Sequence, residues 1–233
     1  MMVLGFDTAT PVTTIGISSD KELVDARSFL SDKTQTEQLM PALDAMLKKA
    51  GLTIHDIEGL AVGLGPGLFT SSRIGVMTAK SLAYALEVPI VGISSLDTIA
   101  RGAADLSERV VSVIDARRRE VFVATYDTAG GKLDRTMQPA VMSPQDLNNV
   151  LQELKKPVIL AGNGAVVYRE KLEDILPEGC SIAPDKQAFP DAAHLLGLAA
   201  DRFEAGETDD LNRLVPIYIR HADAKVFKTK RDR

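Results

Sequence analysis

Tryptophan is absent from this 233-residue chain, cysteine occurs once, histidine three times, and aromatic residues make up only 5%. The lone Cys180 can form neither an intrachain disulfide nor a thiolate zinc cluster, which excludes both scaffolds and suits a reducing, cytoplasmic setting. His55, His194 and His221 stand far apart and show no ligand spacing, so no metal site is expected. No apolar run reaches the roughly 18 residues of a membrane span. The amino terminus enters a strand pattern with no basic region ahead of it, so no membrane segment or leader is expected. Positive charge is in the minority, 27 basic against 32 acidic residues for a net −5, which excludes a uniformly basic, phosphate-coating surface.

What remains is an ordinary globular mixture, 45% hydrophobic and 25% charged, in a chain long enough for one large domain or two small ones. Residues 3–7 form a short apolar run ending in Asp7, followed by the alternating residues 14–18 and, after a polar turn at 19–22, by residues 23–27. This reads as a three-strand meander. Residues 109–115 restart the pattern, again ending in an aspartate, and residues 120–126 and a turn at 127–132 follow. Asp7 and Asp115 are 108 positions apart. Each meander leads into a helical pattern, 35–50 and 144–154, and then a strand, 59–63 and 157–161. The expected fold is therefore α/β, two tandem βββαβα halves over 1–105 and 106–220, with a tail at 221–233. One continuous doubly wound sheet is the rival. Residues 162–165 read as a loop, Pro177, Gly179, Pro184 and Pro190 forbid a long helix after them, and Asp191 caps a helix running to Ala205. The last 14 residues carry six basic and two acidic side chains, a local +4 that fits a solvated tail or a contact to RNA or an acidic partner.

The densest motif is Gly63-Leu64-Gly65-Pro66-Gly67-Leu68-Phe69-Thr70-Ser71-Ser72-Arg73-Ile74-Gly75, at a strand-to-helix junction where backbone amides can approach an anion. It lacks the Gly-Lys-Ser/Thr ending of a Walker loop, and the third glycine of a dinucleotide fingerprint would fall on Leu68. Asp7, Gly65, Gly67 and Thr70 are thus candidates for a phosphate loop, with a plain tight turn as the alternative. Ser71 and Ser72 read as helix N-caps rather than nucleophiles, and no Gly-x-Ser-x-Gly elbow occurs. Arg117-Arg118-Arg119, read as part of a strand, can present only alternate side chains to one ligand.

The helices carry a second signal. At 100° per residue, Leu39, Met40, Ala42, Leu43, Met46, Leu47 and Ala50 cover an arc of roughly 160°, wider than one core-facing stripe needs. The next helix has Gly75, Ala79 and Ala83 at i, i+4 and i+8, a smooth strip open to close packing. Surplus apolar surface on adjacent helices points to a subunit interface, with Leu39, Met40, Leu43, Met46, Leu47, Gly75, Ala79, Leu82 and Ala83 as its residues.

Phe6-Asp7-Thr8-Ala9, Gly65-Pro66-Gly67 with Phe69-Thr70 and Arg73-Ile74-Gly75, Asp115-Ala116-Arg117 with Glu120-Val121-Phe122, and Pro216-Ile217-Tyr218-Ile219-Arg220 together resemble the TsaB (YeaZ) family. These are glycoprotease-like proteins of tRNA threonylcarbamoyladenosine biosynthesis, and the resemblance covers nearly the whole chain. Leu68, where the family has a small residue, and Ser71, where it has Gly, depart from the pattern. The resemblance implies two actin/Hsp70/sugar-kinase-like (ribonuclease H-like) halves. It also implies comparison with the catalytic paralogue TsaD, which holds a metal through His-x-x-x-His. Ser95 and Ile99 stand at those two positions here, and isoleucine cannot ligate a metal. In actin-like ATPases the strand-end carboxylates equivalent to Asp7 and Asp115 orient metal or water; their simpler role is to hydrogen-bond the following turn. The implied function is a non-catalytic scaffold or activating subunit in the cytoplasm, with no cofactor of its own and with ATP and a divalent metal in its partners. Those partners are TsaD and TsaE, with a homodimer when the chain is alone and tRNA reached through the complex. The alternatives are a stand-alone peptidase or ATPase, and a direct tRNA-binding module using the tail and Arg117 to Arg119.

Overall fold

A computed structural model describes residues 1–30 and 35–220. The basic tail at 221–233, and the contact expected of it, lie outside the described residues.

β1 (Met2–Asp7), β2 (Val12–Ser19) and β3 (Glu22–Leu30) form an antiparallel meander. The β2–β3 connection is the two residues Asp20 and Lys21, both at positive φ, the hairpin geometry that matches strand twist. After α1 (Gln35–Lys49) the chain adds β4 (Gly59–Gly63) parallel to β1, and after α2 (Phe69–Leu86) it adds β5 (Ile90–Ile93) parallel to β4. α3 (Ser95–Ala103) then crosses to the second unit. There β6 (Arg109–Asp115), β7 (Val121–Asp127) and β8 (Asp134–Met142) repeat the meander. α4 (Pro144–Glu153) leads to β9 (Val158–Ala161), and α5 (Asn163–Val167) and α6 (Arg169–Glu173) lead to β10 (Cys180–Ile182). α7 (Ala192–Glu204) closes the series. The strand orders, β3-β2-β1-β4-β5 and β10-β9-β6-β7-β8, are the same order made twice. Two separate sheets replace the rival single sheet, and each half has one strand more than the expected unit. Of residues 162–165, read as loop, Asn163, Gly164 and Ala165 belong to α5: Asn163 accepts the Asp115 amide and anchors this short turn against β6.

β1 is buried on both faces because both are covered. Leu4 and Phe6 pack under α1 and α2, while Val3 meets Leu195, Leu196 and Ala199 of α7. A side chain at Gly5 would strike Leu196, so glycine there allows α7 to lie close on the sheet. Each large aliphatic enclosed in this way contributes about 1.5–3 kcal/mol. Two helices depart from the linear division of the chain. α3 packs Leu96, Ile99, Ala100 and Ala103 against Val110, Ile114 and Tyr126 of the second sheet, and α7 returns to β1, β2 and β5 of the first.

A strap of residues 209–220 ties the units together. The Asp209 amide donates to the Ile90 carbonyl and the Ile217 amide to the Leu64 carbonyl, Lys80 reaches the Leu214 carbonyl at 3.0 Å, and Arg220 pairs with Glu120 beyond the cleft.

Candidate functional site

Asp7 and Asp115 end the central strands of the two sheets and do the same local work. The Asp7 Oδ1 accepts the Ala9 amide at 2.7 Å, and the Asp115 Oδ1 accepts the Arg117 amide at 2.8 Å, so each carboxylate closes the turn that follows it. Asp7 is 1% exposed. Its Oδ2 accepts the Ser95 hydroxyl at 2.5 Å, and that Ser95 oxygen in turn accepts the Gly65 amide at 3.1 Å. Burial pushes the Asp7 carboxyl above the ordinary carboxylate range, against the opposing pull of the Ser95 and Ala9 donors.

The glycine loop is drawn into the same nucleus. Gly65, at φ +82, gives its amide to Ser95 and takes the Ser95 amide on its carbonyl, while the Leu68 amide donates to Ala9. A Cβ on Gly67 would run into the Ala9 carbonyl, which explains the glycine without a ligand. Of the loop candidates, Asp7 and Gly65 are buried in protein contacts, Gly67 borders a cleft and Thr70 is exposed. The α2 N-cap is Leu68; Ser71 and Ser72, expected as caps, lie inside the first turn, where the Ser71 carbonyl accepts the Thr8 hydroxyl and the Ser72 hydroxyl donates back to the Leu68 carbonyl. Ile99 is in the hydrophobic core of the second unit. Among the histidines, His55 sits exposed in the turn before β4 and His194 lies on α7 beside Gly102, on separate elements; His221 is outside the described residues.

The cleft lies between the units and has a volume of about 590 Å³. Gly67, Leu68 and the first turns of α2 form one wall, Asp115 to Arg118 and Phe122 a second, and Pro216 to Arg220 of the strap a third. Arg73 stacks its guanidinium 3.7 Å from the Phe69 ring centre and donates to the Tyr218 hydroxyl at 2.7 Å. Arg117 lies 3.3 Å from Asp115. Arg117, Arg118 and Arg119 are not strand residues: all three are at positive φ (60, 54 and 65), a left-handed turn between β6 and β7. The left-handed conformation costs about 1–2 kcal/mol per non-glycine residue, and nothing in the Arg-Arg-Arg-Glu sequence marks it. Sequence reasoning also missed roles for Arg73 and Tyr218, whose signal was their place in the quoted motifs.

On α1 and α2, most residues expected at a partner surface are enclosed within the chain itself. Leu39, Leu43, Met46, Leu47, Ala79 and Ala83 are at most 5% exposed, in the core with Leu4, Phe6 and Leu60. Gly75 is buried with a Cβ position filled by the Thr8 hydroxyl, so the smooth strip serves the approach of α2 to the β1–β2 turn. The wide apolar arc of α1 is taken up by the sheet, by α2 and by Ile57. Met40 is exposed and Leu82 half-buried. The outward face of α2 belongs to other residues, Phe69 (53% exposed), Met77 (58%) and Tyr84 (78%), and Met40 (45%) is exposed on α1. Residues 69, 73 and 77 follow at i, i+4 and i+8, and 84 lies two turns beyond 77, one face of the helix.

Comparison with known proteins places this arrangement. The family described as TsaD, tRNA N6-adenosine threonylcarbamoyltransferase, matches residues 30–227. The tRNA threonylcarbamoyladenosine biosynthesis protein TsaB of Escherichia coli is 30% identical over 224 residues, 95% of each chain. The structure of YeaZ from Pseudomonas aeruginosa superposes with a TM-score of 0.78 at 26% identity, covering 93% of this chain and 99% of that one. Ethanolamine utilization protein EutJ of Carboxydothermus hydrogenoformans, at 11% identity and a TM-score of 0.53 over 85% of this chain and 90% of its own, shares the fold alone, the actin/sugar-kinase type.

Proposed function

This chain belongs to the TsaB (YeaZ) family and takes part in tRNA threonylcarbamoyladenosine biosynthesis, and we propose that it acts there as a non-catalytic subunit that pairs with the catalytic paralogue TsaD. The observation that carries this reading is the exposed face of Phe69, Met77 and Tyr84 along α2, with Met40 also exposed on the neighbouring α1. Large apolar side chains grouped this way on a folded surface mark a protein interface, and tyrosine is a frequent energetic anchor in such contacts. Without TsaD the same face pairs two copies of this chain; in the complex TsaE joins as a further partner, and tRNA is reached through the assembly.

The positions that would bear metal ligands in TsaD support the non-catalytic role. Ser95 is fully buried with its hydroxyl on Asp7, and Ile99 is enclosed by apolar neighbours. Metal and ATP chemistry is thereby assigned to the partners. Docking of α1 and α2 against TsaD would favour its competent arrangement through differential affinity for that state. Mixing this chain with TsaD is expected to replace a homodimer peak in gel filtration by a heterodimer; two species that stay separate at micromolar concentration would refute the pairing.

A further inference from the structure

We propose that Arg73 selects the partner on the outward face of α2: the protein that docks there presents a carboxylate to its guanidinium, and a second copy of this chain, whose α2 has no carboxylate to offer, is the weaker occupant. The inference rests on the reading that α2 is the pairing face. Arg73 stands between Phe69 and Met77 on the outward side of the helix, exposed in the middle of apolar neighbours. It is held in place within the chain itself. The guanidinium carbon lies 3.7 Å from the centre of the Phe69 ring and 5.4 Å from that of Tyr218, and Nε donates to the Tyr218 hydroxyl at 2.7 Å. That bond uses one corner of the fork and leaves its outer edge, the two terminal nitrogens, for another acceptor.

The neighbouring carboxylates are already engaged elsewhere. Arg117, Arg202 and Arg220 have Asp115, Asp209 and Glu120 as partners, whereas among the described residues no carboxylate pairs with Arg73. α2 itself carries Arg73 and Lys80 and no acidic residue, and Lys80 is tied to the Leu214 carbonyl at 3.0 Å. On α1, Asp44 is paired with Lys48, and Glu37 lies with Arg27 in the groove beside β3. A stacked, preorganised guanidinium gains a strong bidentate pair from a facing carboxylate. Once docking has removed water, the same guanidinium left without one is costly. Selectivity follows as a difference of affinities. Two copies joined α2 to α2 bring only cations from these helices to the seam, and a partner with an aspartate or glutamate opposite Arg73 displaces the second copy.

R73M, unbranched like the parent side chain but uncharged, separates the two pairings. Sedimentation of the full chain with TsaD, and of the chain alone, gives both dissociation constants. In R73M the complex should weaken by roughly tenfold, the scale of one lost charge-assisted pair, while the homodimer should be unchanged or tighter. R73K keeps the charge and loses the fork, so its complex should fall between those of the parent and R73M. The parent complex should weaken between about 0.1 M and about 1 M salt, as the screening length falls from about 10 to about 3 Å, and R73M should lose part of that dependence. Arg73 is exposed, so both variants should melt close to the parent. A role confined to packing Phe69 and Tyr218 would weaken both pairings alike and keep the salt dependence, and that result would overturn the proposal. So would a complex as tight in R73M as in the parent, which would leave the pairing itself standing. A parent chain that does not pair with TsaD would refute the pairing and this inference together.

Discussion

Asp7 shows what one buried carboxylate can organise. It joins the end of β1, the glycine loop and the start of α3 through Ala9, Gly65 and Ser95. S95A removes a donor to the carboxylate and leaves the Gly65 amide without its acceptor, and should cost about 1–3 kcal/mol at pH 7. The pH dependence follows from the raised carboxyl. The folded state holds the Asp7 proton to higher pH than the unfolded chain does, so this group's contribution to stability is fully present below the ordinary value of 3.8 and is lost as pH rises through the folded value. Ser95 favours the charged form, so its removal should hurt more at pH 7 than at pH 4. Urea unfolding at the two pH values checks this, and an equal deficit at both would show that Ser95 does not act through Asp7. The sequence indicated that Asp7 and Asp115 were equivalent and offered turn closure as their simpler role, which is the role the structure gives both. It could not indicate Ser95, because a contact across 88 positions leaves no local pattern.

At the scale of elements, the helical patterns at 35–50 and 144–154 located α1 and α4 closely, and the Asp191 cap that located α7 accepts the Ala193 amide as expected. It did not tell which apolar residues face inward. The arc on α1 looked too wide for one neighbour because several neighbours surround it within the same chain, and the small residues of α2 meet Thr8 and the sheet. The distinction is testable on one helix. A79D places an unpaired charge at a position with no exposure and should lose several kcal/mol, a large part of the roughly 5–15 kcal/mol of a typical domain. Y84D, at 78% exposure, should shift stability by no more than about 0.5 kcal/mol. Thermal melts of the two variants decide it, and similar melts would mean that the faces of α2 have been exchanged. The Arg117 to Arg119 turn was illegible for a different reason: its conformation is imposed by the β6–β7 hairpin against local preference.

For the whole molecule, the repeat was legible because each half restates strand, aspartate, hairpin and helix in order. The crossing of α3 and the return of α7 were not, since an apolar stripe does not say which sheet it will cover. These crossings and the strap make the units one scaffold with the cleft on its seam and the outward face of α2 beside it. We propose that the chain works through this face and not through a catalytic centre of its own. The most direct test is the dissociation constant of the complex with TsaD, measured by sedimentation for the parent chain and for the M77D/Y84D double variant, with melts recorded in parallel. The account predicts at least about a tenfold weakening, as for the loss of an interface anchor, with an unchanged melting temperature. An undiminished affinity in a folded double variant would contradict it.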